Sequence, residues 1–206
     1  YQIRLSVPAP AVAIMQQKVP LWVAYDTDPG TALHPDYKWL LERGYPSPEG
    51  LKSLVSMTRA KDFCNFSLHQ PWVILHELAH GYDYLYLGQG RHYSCPRIEA
   101  VYKRARKSGT YQSVLCRYSQ GAKHYGITNK MEYFTENSEA YFGANDFYPF
   151  VRAELKEHDP DCFALLQGLW GLDFEKQERV TQSLVKFIES QSNQTTVAAG
   201  DNPTAY

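Results

Sequence analysis

The pentapeptide His76-Glu77-Leu78-Ala79-His80 constrains the fold of this chain more than any other stretch of its sequence. On an α-helix, residues four positions apart lie on one face, so both imidazoles can direct a ring nitrogen at one metal ion. Glu77, the residue after His76, points in a different direction around the helix. Its carboxylate would not bind the ion but would lie close to a water molecule bound to that ion. The motif therefore predicts a helix, a zinc ion bound by His76 and His80, and Glu77 as the general base.

The alternative interpretation of this motif is a pair of exposed histidines on an amphipathic helix. Two observations weaken it: apolar Val73 and Leu75 lie beside the histidines, and Trp72 shares their stripe. Pro71 suits a first helical turn and Gly88 suits a helix end. One helix is therefore predicted between these two positions.

A third protein ligand is needed, because catalytic zinc usually has three and keeps its fourth position open. A metzincin would provide a histidine in the motif HExxHxxGxxH, but Asp83 and Tyr86 occupy the glycine and histidine positions here, which excludes that class. The predicted acidic helix NKMEYFTENSEAYF is the obvious donor. It offers three carboxylates, those of Glu132, Glu136 and Glu139.

A spaced pattern of Tyr, then Asn, then Glu-aromatic-Phe-x-Glu runs through this region. Its residues are Tyr125, Asn129, Glu132, Tyr133, Phe134 and Glu136. Together with the HExxH motif, the pattern resembles that of the gluzincin zinc peptidases, and among them the lethal-factor-like peptidases. The resemblance covers the two motifs and the residues around them, and it does not extend into residues 1–50.

The resemblance implies roles for three residues. Glu132 would be the third zinc ligand, and Glu136, one turn later, would accept a hydrogen bond that orients a histidine ring. Tyr125 would provide the hydroxyl that binds the developing oxyanion. Three other tyrosines stay open as alternatives for that last role, namely Tyr118, Tyr133 and Tyr141.

The resemblance also implies a fold. We expect an α+β, zincin-like architecture, in which a small twisted sheet packs on the HELAH helix and a mostly helical C-terminal part brings Glu132 across the cleft. The chain length suits one domain with a real core. We assign residues 1–193 to a single metallopeptidase domain and the aperiodic residues 194–206 to a flexible tail.

Local patterns predict the remaining elements. Residues 1–30 contain two β-like stretches, LSVPAPAVAIM and VPLWVAYDTDPG, and HPDYKWLLERGYPSPEGL reads as a short helix closed by Gly44 before a turn. A strand is predicted in LKSLVSMTRA, and its residues 51–57 could form a sheet edge that pairs with an extended peptide. Further helices are predicted in PRIEAVYKRARKSG, NKMEYFTENSEAYFG, PFVRAELKEH and FEKQERVTQSLVKFIESQ.

Charge and hydropathy exclude two classes of partner. The net charge of −1 predicts no attraction to nucleic acid or to an anionic membrane, and the basic run KRARK reads as a solvated helix face. No apolar run reaches the roughly 18 residues that a membrane span requires. We therefore expect no nucleic-acid or membrane partner. The resemblance to zinc peptidases implies a peptide or protein substrate, and we expect a monomer.

The cysteines and glycosylation acceptors point to secretion. Cys64, Cys95, Cys116 and Cys162 are even in number and never form CxxC, which permits two disulfides with the pairing left open. Asn65-Phe66-Ser67 and Asn193-Gln194-Thr195 are N-glycosylation acceptors. The chain also begins at Tyr1 without Met or a signal segment, as expected of a processed protein. An extracellular location follows as a prediction.

Three functions fit these features. The first is a secreted zinc endopeptidase that hydrolyses peptide bonds with one catalytic Zn²⁺. The second is a zinc amidase or deacylase that acts on a non-protein polymer with the same ligands. The third is a non-catalytic, toxin-like or binding module with a structural zinc, which the presence of Glu77 argues against, since a structural site needs a fourth ligand and no base.

Overall fold

The fold is mixed α and β and mostly helical, as the α+β prediction requires. The computed structural model describes residues 2–23, 31–34, 41–42, 54–57, 59–89, 91, 93–117 and 119–171. Its helices are α1 Gln2–Ser6, α2 Ala9–Lys18, α3 Ala60–His69, α4 Val73–Tyr82, α5 Pro96–Ser108, α6 Lys130–Phe142, α7 Arg152–His158 and α8 Pro160–Leu169. Its strands are β1 Leu21–Val23, β2 Ala32–His34, β3 Leu54–Met57, β4 Val114–Cys116 and β5 Ser119–Ala122.

The N-terminal stretch LSVPAPAVAIM is helical, so its predicted β structure is wrong. Pro8 is the N-cap residue of α2 and Pro10 lies in its first turn, where a missing N–H costs no hydrogen bond. Val7, Ala11 and Met15 are all buried, and they follow one another at the spacing of one helix face. The proline pair therefore starts a helix rather than interrupting a strand.

Strand β3 lies in the middle of a three-stranded sheet with the order β1-β3-β2. It pairs in parallel with β1 and antiparallel with β2. The strand prediction for this segment is confirmed by Leu54–Met57, but its predicted place at a sheet edge is wrong, because both of its sides are already paired. Among the described strands of this sheet, β1 and β2 form the edges.

Helix α4 is buried almost all round, and it ends in a π-helical turn at Asp83–Leu87. It packs against α2 on one side and α6 on another. A Cβ atom at Gly81 would lie 2.7 Å from the Val19 side chain, so the close approach at this position requires glycine. A second glycine, Gly143 at the end of α6, lies directly against the Trp72 ring at the start of α4. The helix predicted around the HExxH motif is confirmed, and its polar residues face the protein interior.

Helix α6 carries polar residues into the core, where they find partners. The Asn137 amide donates to the Tyr133 carbonyl and accepts from the Tyr111 hydroxyl, at 2.7 and 3.1 Å. Ser138 accepts a hydrogen bond from the Trp170 indole at 3.1 Å. Burial of these groups costs little because their hydrogen bonds are made inside the protein.

The other sequence predictions have mixed outcomes. The helices predicted in PRIEAVYKRARKSG and PFVRAELKEH are confirmed by α5 and α7. Helices α3 and α8 and the β4–β5 hairpin were not predicted. One compact unit spans Tyr1–Trp170. The helix predicted in FEKQERVTQSLVKFIESQ, the tail at 194–206 and most of the helix closed by Gly44 lie outside the described residues.

The disulfide prediction is contradicted at two of its four positions. Cys95 and Cys162 are buried free thiols, with 6% and 0% of their surfaces exposed. Two disulfides would need all four cysteines, whereas Cys162 lies in the core beside Tyr133. The Cys116 sulfur lies 3.2 Å from the Ser119 hydroxyl, and the Cys64 side chain is outside the described part of the chain. The prediction rested on the even number of cysteines, and that number carries no information on the distances between their sulfur atoms.

No helix in the described part of the chain is long and apolar enough to cross a membrane.

Candidate metal centre

The two histidines of α4 and one carboxylate of α6 converge at a single point. His76 Nε2 lies 3.1 Å and His80 Nε2 3.3 Å from the same oxygen, Glu132 Oε2. The three candidate ligand atoms all lie within 4.8 Å of one another. The structure therefore brings together the three residues that the sequence singled out as zinc ligands.

These distances fit a tetrahedral ion. Bonds of about 2.0–2.2 Å from zinc to nitrogen and oxygen place neighbouring ligand atoms about 3.3–3.6 Å apart. Of the two separations from Glu132 Oε2, 3.3 Å lies at the short end of this range and 3.1 Å about 0.2 Å below it. An ion could enter with only small side-chain shifts, and the donor set of two imidazoles and one carboxylate is one that catalytic zinc sites use.

The start of α6 fixes the position of Glu132. Asn129 is the N-cap residue, and its side-chain oxygen accepts hydrogen bonds from the backbone N–H groups of Met131 and Glu132 at 2.9 and 3.0 Å. A cap of this kind satisfies helix donors that have no partner within the helix. Asn129 thus anchors the turn that presents the candidate ligand.

Glu139 orients the His76 ring through Nδ1, the ring nitrogen that does not face Glu132. Its Nδ1 lies 2.7 Å from Glu139 Oε1 and 3.5 Å from Glu136 Oε1. A hydrogen bond from Nδ1 to a carboxylate leaves the lone pair on Nε2, the atom that faces Glu132. Glu139 therefore makes the contact that was predicted for Glu136, whereas the Glu136 carboxylate accepts a hydrogen bond from Asn145 at 3.1 Å. The orienting role of Glu136 stays a prediction.

A second group of possible ligands shares His76 but is the poorer site. His76, Glu136 and Glu139 also lie within 4.8 Å of one another. Both carboxyl groups are buried, and burial raises the pKa of each, which favours their neutral forms. Burial raises the pKa of Glu132, but the hydrogen bonds and charges of His76 and His80 outweigh burial and lower it to about 2. Glu132 is therefore the carboxylate better suited to bind a cation.

These contacts predict different effects for the two buried glutamates. Replacing Glu139 by Gln should weaken zinc binding by roughly 10–100-fold, because the carboxylate that fixes the His76 ring is lost. Glu136→Gln is the matched control and should change zinc affinity less. Competition with a fluorescent zinc chelator measures both affinities, and a larger loss for Glu136→Gln would instead assign the orienting role to Glu136.

Proton and metal compete for His76. Burial lowers the pKa of this ring, but the hydrogen bonds to Glu132 and Glu139 outweigh burial and raise the pKa well above its ordinary value. Zinc binding must release that proton, so the affinity of the site falls as the solution becomes more acidic.

Glu77 lies in the same cleft and is held by the sheet. Its Oε2 accepts a hydrogen bond from the Leu33 backbone N–H of β2 at 2.7 Å. Burial raises the pKa of Glu77, and the neighbouring charges of His76 and His80 partly offset that effect. A carboxylate with a raised pKa is the better proton acceptor near neutral pH, as a general base requires.

The cleft around these residues has a volume of about 770 Å³ and is rich in carboxyl groups. Five carboxyl groups line it, those of Glu77, Glu132, Glu136, Glu139 and Asp146. No lysine or arginine lines it among the residues that the structure describes. Glu132 is the one of these groups whose pKa is lowered, so its carboxylate provides the negative charge that a cation would meet there.

Tyr125 lines the cleft, as its predicted role requires, and its side chain is 48% exposed. The charge of Glu132, and then burial, raise the pKa of its hydroxyl, so Tyr125 stays protonated and can donate a hydrogen bond. Its alternatives Tyr133 and Tyr141 are buried in the core at 0% and 2% exposure and do not line the cleft. Tyr118 lies outside the described residues.

Sequence reasoning missed several residues of this site. Leu33 contributes through its backbone, which leaves no trace in side-chain patterns. Asp146 and Phe147 line the cleft, although no sequence motif includes them. Tyr93 lines it too and belongs to no motif. The sequence of α6 did offer Glu139 as a candidate, but the spacing of its glutamates could not show that Glu139 rather than Glu136 contacts His76.

Comparisons of the chain with protein-family models, with curated proteins and with solved structures found no match in any of the three.

Proposed function

We propose that this protein is a zinc-dependent peptidase with a zincin-like fold, in which His76, His80 and Glu132 bind one catalytic zinc ion. The observation that carries the proposal is the convergence of these three side chains on one point, with a fourth polar residue, Glu77, beside it in an open cleft. A structural zinc would need a fourth protein ligand and no base. The acidic cleft and the buried Glu77 favour catalysis instead.

Glu77 and Tyr125 would have different roles in hydrolysis. Zinc, when bound, acts as a Lewis acid that makes water a better nucleophile and polarises the carbonyl group. Glu77 accepts a proton from the attacking water and passes it to the leaving amine as the C–N bond breaks. Tyr125 donates a hydrogen bond to the carbonyl oxygen while negative charge develops there.

The sheet offers a place for an extended substrate. Strand β2, not β3, is the edge strand next to Glu77, and Thr31, Ala32 and Leu33 line the cleft. The outer side of an edge strand can pair with a peptide, here through groups other than the Leu33 N–H, which is bound to Glu77. This arrangement favours a peptide or protein substrate.

A zinc amidase or deacylase for a non-protein polymer is the second candidate, since it would use the same ligands and base. Direct assay separates the two. The zinc-loaded protein is incubated with a peptide library and, in parallel, with an N-acetylated oligosaccharide. We expect cleaved peptides, loss of cleavage with a chelator and recovery with zinc. Acetate release without peptide cleavage would support the deacylase, and a zinc-loaded protein inert in both assays would contradict catalysis.

Secretion belongs to the proposal as well. Asn65 is exposed on α3, where a glycan could be attached, while Asn193 lies outside the described residues. The free thiols Cys95 and Cys162 remove the disulfide argument for an oxidising compartment. Secretion and a monomeric state therefore rest on the sequence alone.

A further inference from the structure

Tyr93 occupies an unusual backbone conformation at the edge of the candidate metal centre. It lies between the π-helical turn and α5, and its φ angle is 54°. Left-handed backbone is rare for a residue with a bulky side chain, and such strain is concentrated at functional sites. The side chain lines the same cleft as His80 and Glu132. The strained backbone thus directs an aromatic ring into the site.

The ring of Tyr93 is fixed by two neighbours. It meets the His80 ring edge-on, with 6.0 Å between centroids and 78° between planes. On another side it contacts Tyr84 at 5.3 Å. These contacts hold the Tyr93 ring next to His80, one of the two candidate histidine ligands.

The hydroxyl of Tyr93 donates to no protein group among the described residues, although Asp83, Glu77 and Glu132 all lie near enough to act on it electrostatically. A tyrosine hydroxyl is ordinarily protonated at neutral pH. A protonated phenol is both donor and acceptor, and beside acidic groups its useful role is that of a donor. Since no described residue accepts from this hydroxyl, a ligand bound in the cleft can do so.

We propose that Tyr93 is a second substrate-contacting residue, whose hydroxyl donates a hydrogen bond to a carbonyl oxygen of the bound substrate beside His80. This inference rests on the proposed function, because it assigns the contact to a substrate of the metal centre. It is separate from the role of Tyr125, which the family pattern suggested. Tyr93 belongs to no motif, and only its position in the fold identifies it.

Tyr93→Phe tests the proposal, because it removes the hydroxyl and keeps the ring against His80 and Tyr84. Tyr86→Phe is the matched control, since Tyr86 is an exposed tyrosine of the neighbouring turn that does not line the cleft. The probe is a peptide hydroxamate, which offers a carbonyl oxygen at the metal and needs no turnover. Calorimetry gives its affinity for the zinc-loaded protein, alongside zinc content, unfolding midpoint, kcat and KM.

We expect Tyr93→Phe to keep its zinc and its unfolding midpoint but to bind the hydroxamate about tenfold more weakly, the effect of one hydrogen bond of about 1.4 kcal/mol. Tyr86→Phe should match the wild type. Equal affinity of Tyr93→Phe and the wild type would overturn the proposal, as would loss of zinc, which would make the role structural. Hydroxamate binding that depends on Tyr93 in a protein without hydrolytic activity would support the contact and contradict the peptidase.

Discussion

Replacing Glu77 by Gln is expected to lower kcat by about 10²–10⁴-fold while leaving one zinc ion bound, the range that positioned general bases contribute. The amide oxygen of Gln can still accept the hydrogen bond from Leu33, so the side chain should stay in place. It cannot take a proton from water. Because Glu77 is not one of the converging ligands, the metal should be retained. Zinc content by mass spectrometry and kcat on a peptide from the library measure the two effects.

The control for this variant is Glu157→Gln, which makes the same change on an exposed face of α7. It should leave both zinc content and kcat unchanged. Full activity of Glu77→Gln would remove the general-base assignment. Loss of zinc from Glu77→Gln would instead make Glu77 a ligand, and the peptidase mechanism would need a different base.

The sequence predicted the two helices of the site because both carry strong local signals. Around His76 and His80 these are the four-residue spacing of the histidines, Pro71 in a first turn and Gly88 as a stop. In the second helix it is the run of glutamates and aromatic residues after Asn129, which the structure shows to be the N-cap residue. Prolines were harder to interpret. Pro8 and Pro10 looked compatible with β structure, and Asp159-Pro160, which caps and starts α8, was not recognised as a helix start. Proline in a first helical turn is favourable, and this rule accounts for both misses.

The sequence did not predict how segments that are distant along the chain pair in the sheet or pack against one another. The segment at Leu54–Met57 was recognised as a strand, but its central place depends on pairing with β1 and β2, which are distant in sequence. Likewise, the choice between Glu136 and Glu139 as the partner of His76 depends on the rotation of α6 against α4. Residues three apart differ by about 60° around a helix, so a small rotation exchanges their roles. Only the packing of the two helices decides it.

Removal of Glu132 should affect metal binding more than any other change proposed for α6. Glu132→Ala leaves two imidazoles, and we expect zinc affinity to fall by more than the roughly 10–100-fold typical of a lost orienting partner. Zinc should then no longer stabilise the fold. For the wild type, zinc at 100 times its dissociation constant stabilises the folded state by about 2.7 kcal/mol. For Glu132→Ala at the same zinc concentration, the stabilisation should be close to zero.

Urea unfolding with and without zinc measures this difference and also separates the ligand role from a structural one. Without metal, Glu132 pairs with His76 and His80, so Glu132→Ala should lower the metal-free stability as well. Glu99→Ala is the control, because it removes an exposed carboxylate that pairs with Lys103 and Lys130 and should keep the full response to zinc. If Glu132→Ala kept that response, the ion would be bound elsewhere, and His76 with Glu136 and Glu139 would become the group to test, since these atoms also lie within 4.8 Å of one another.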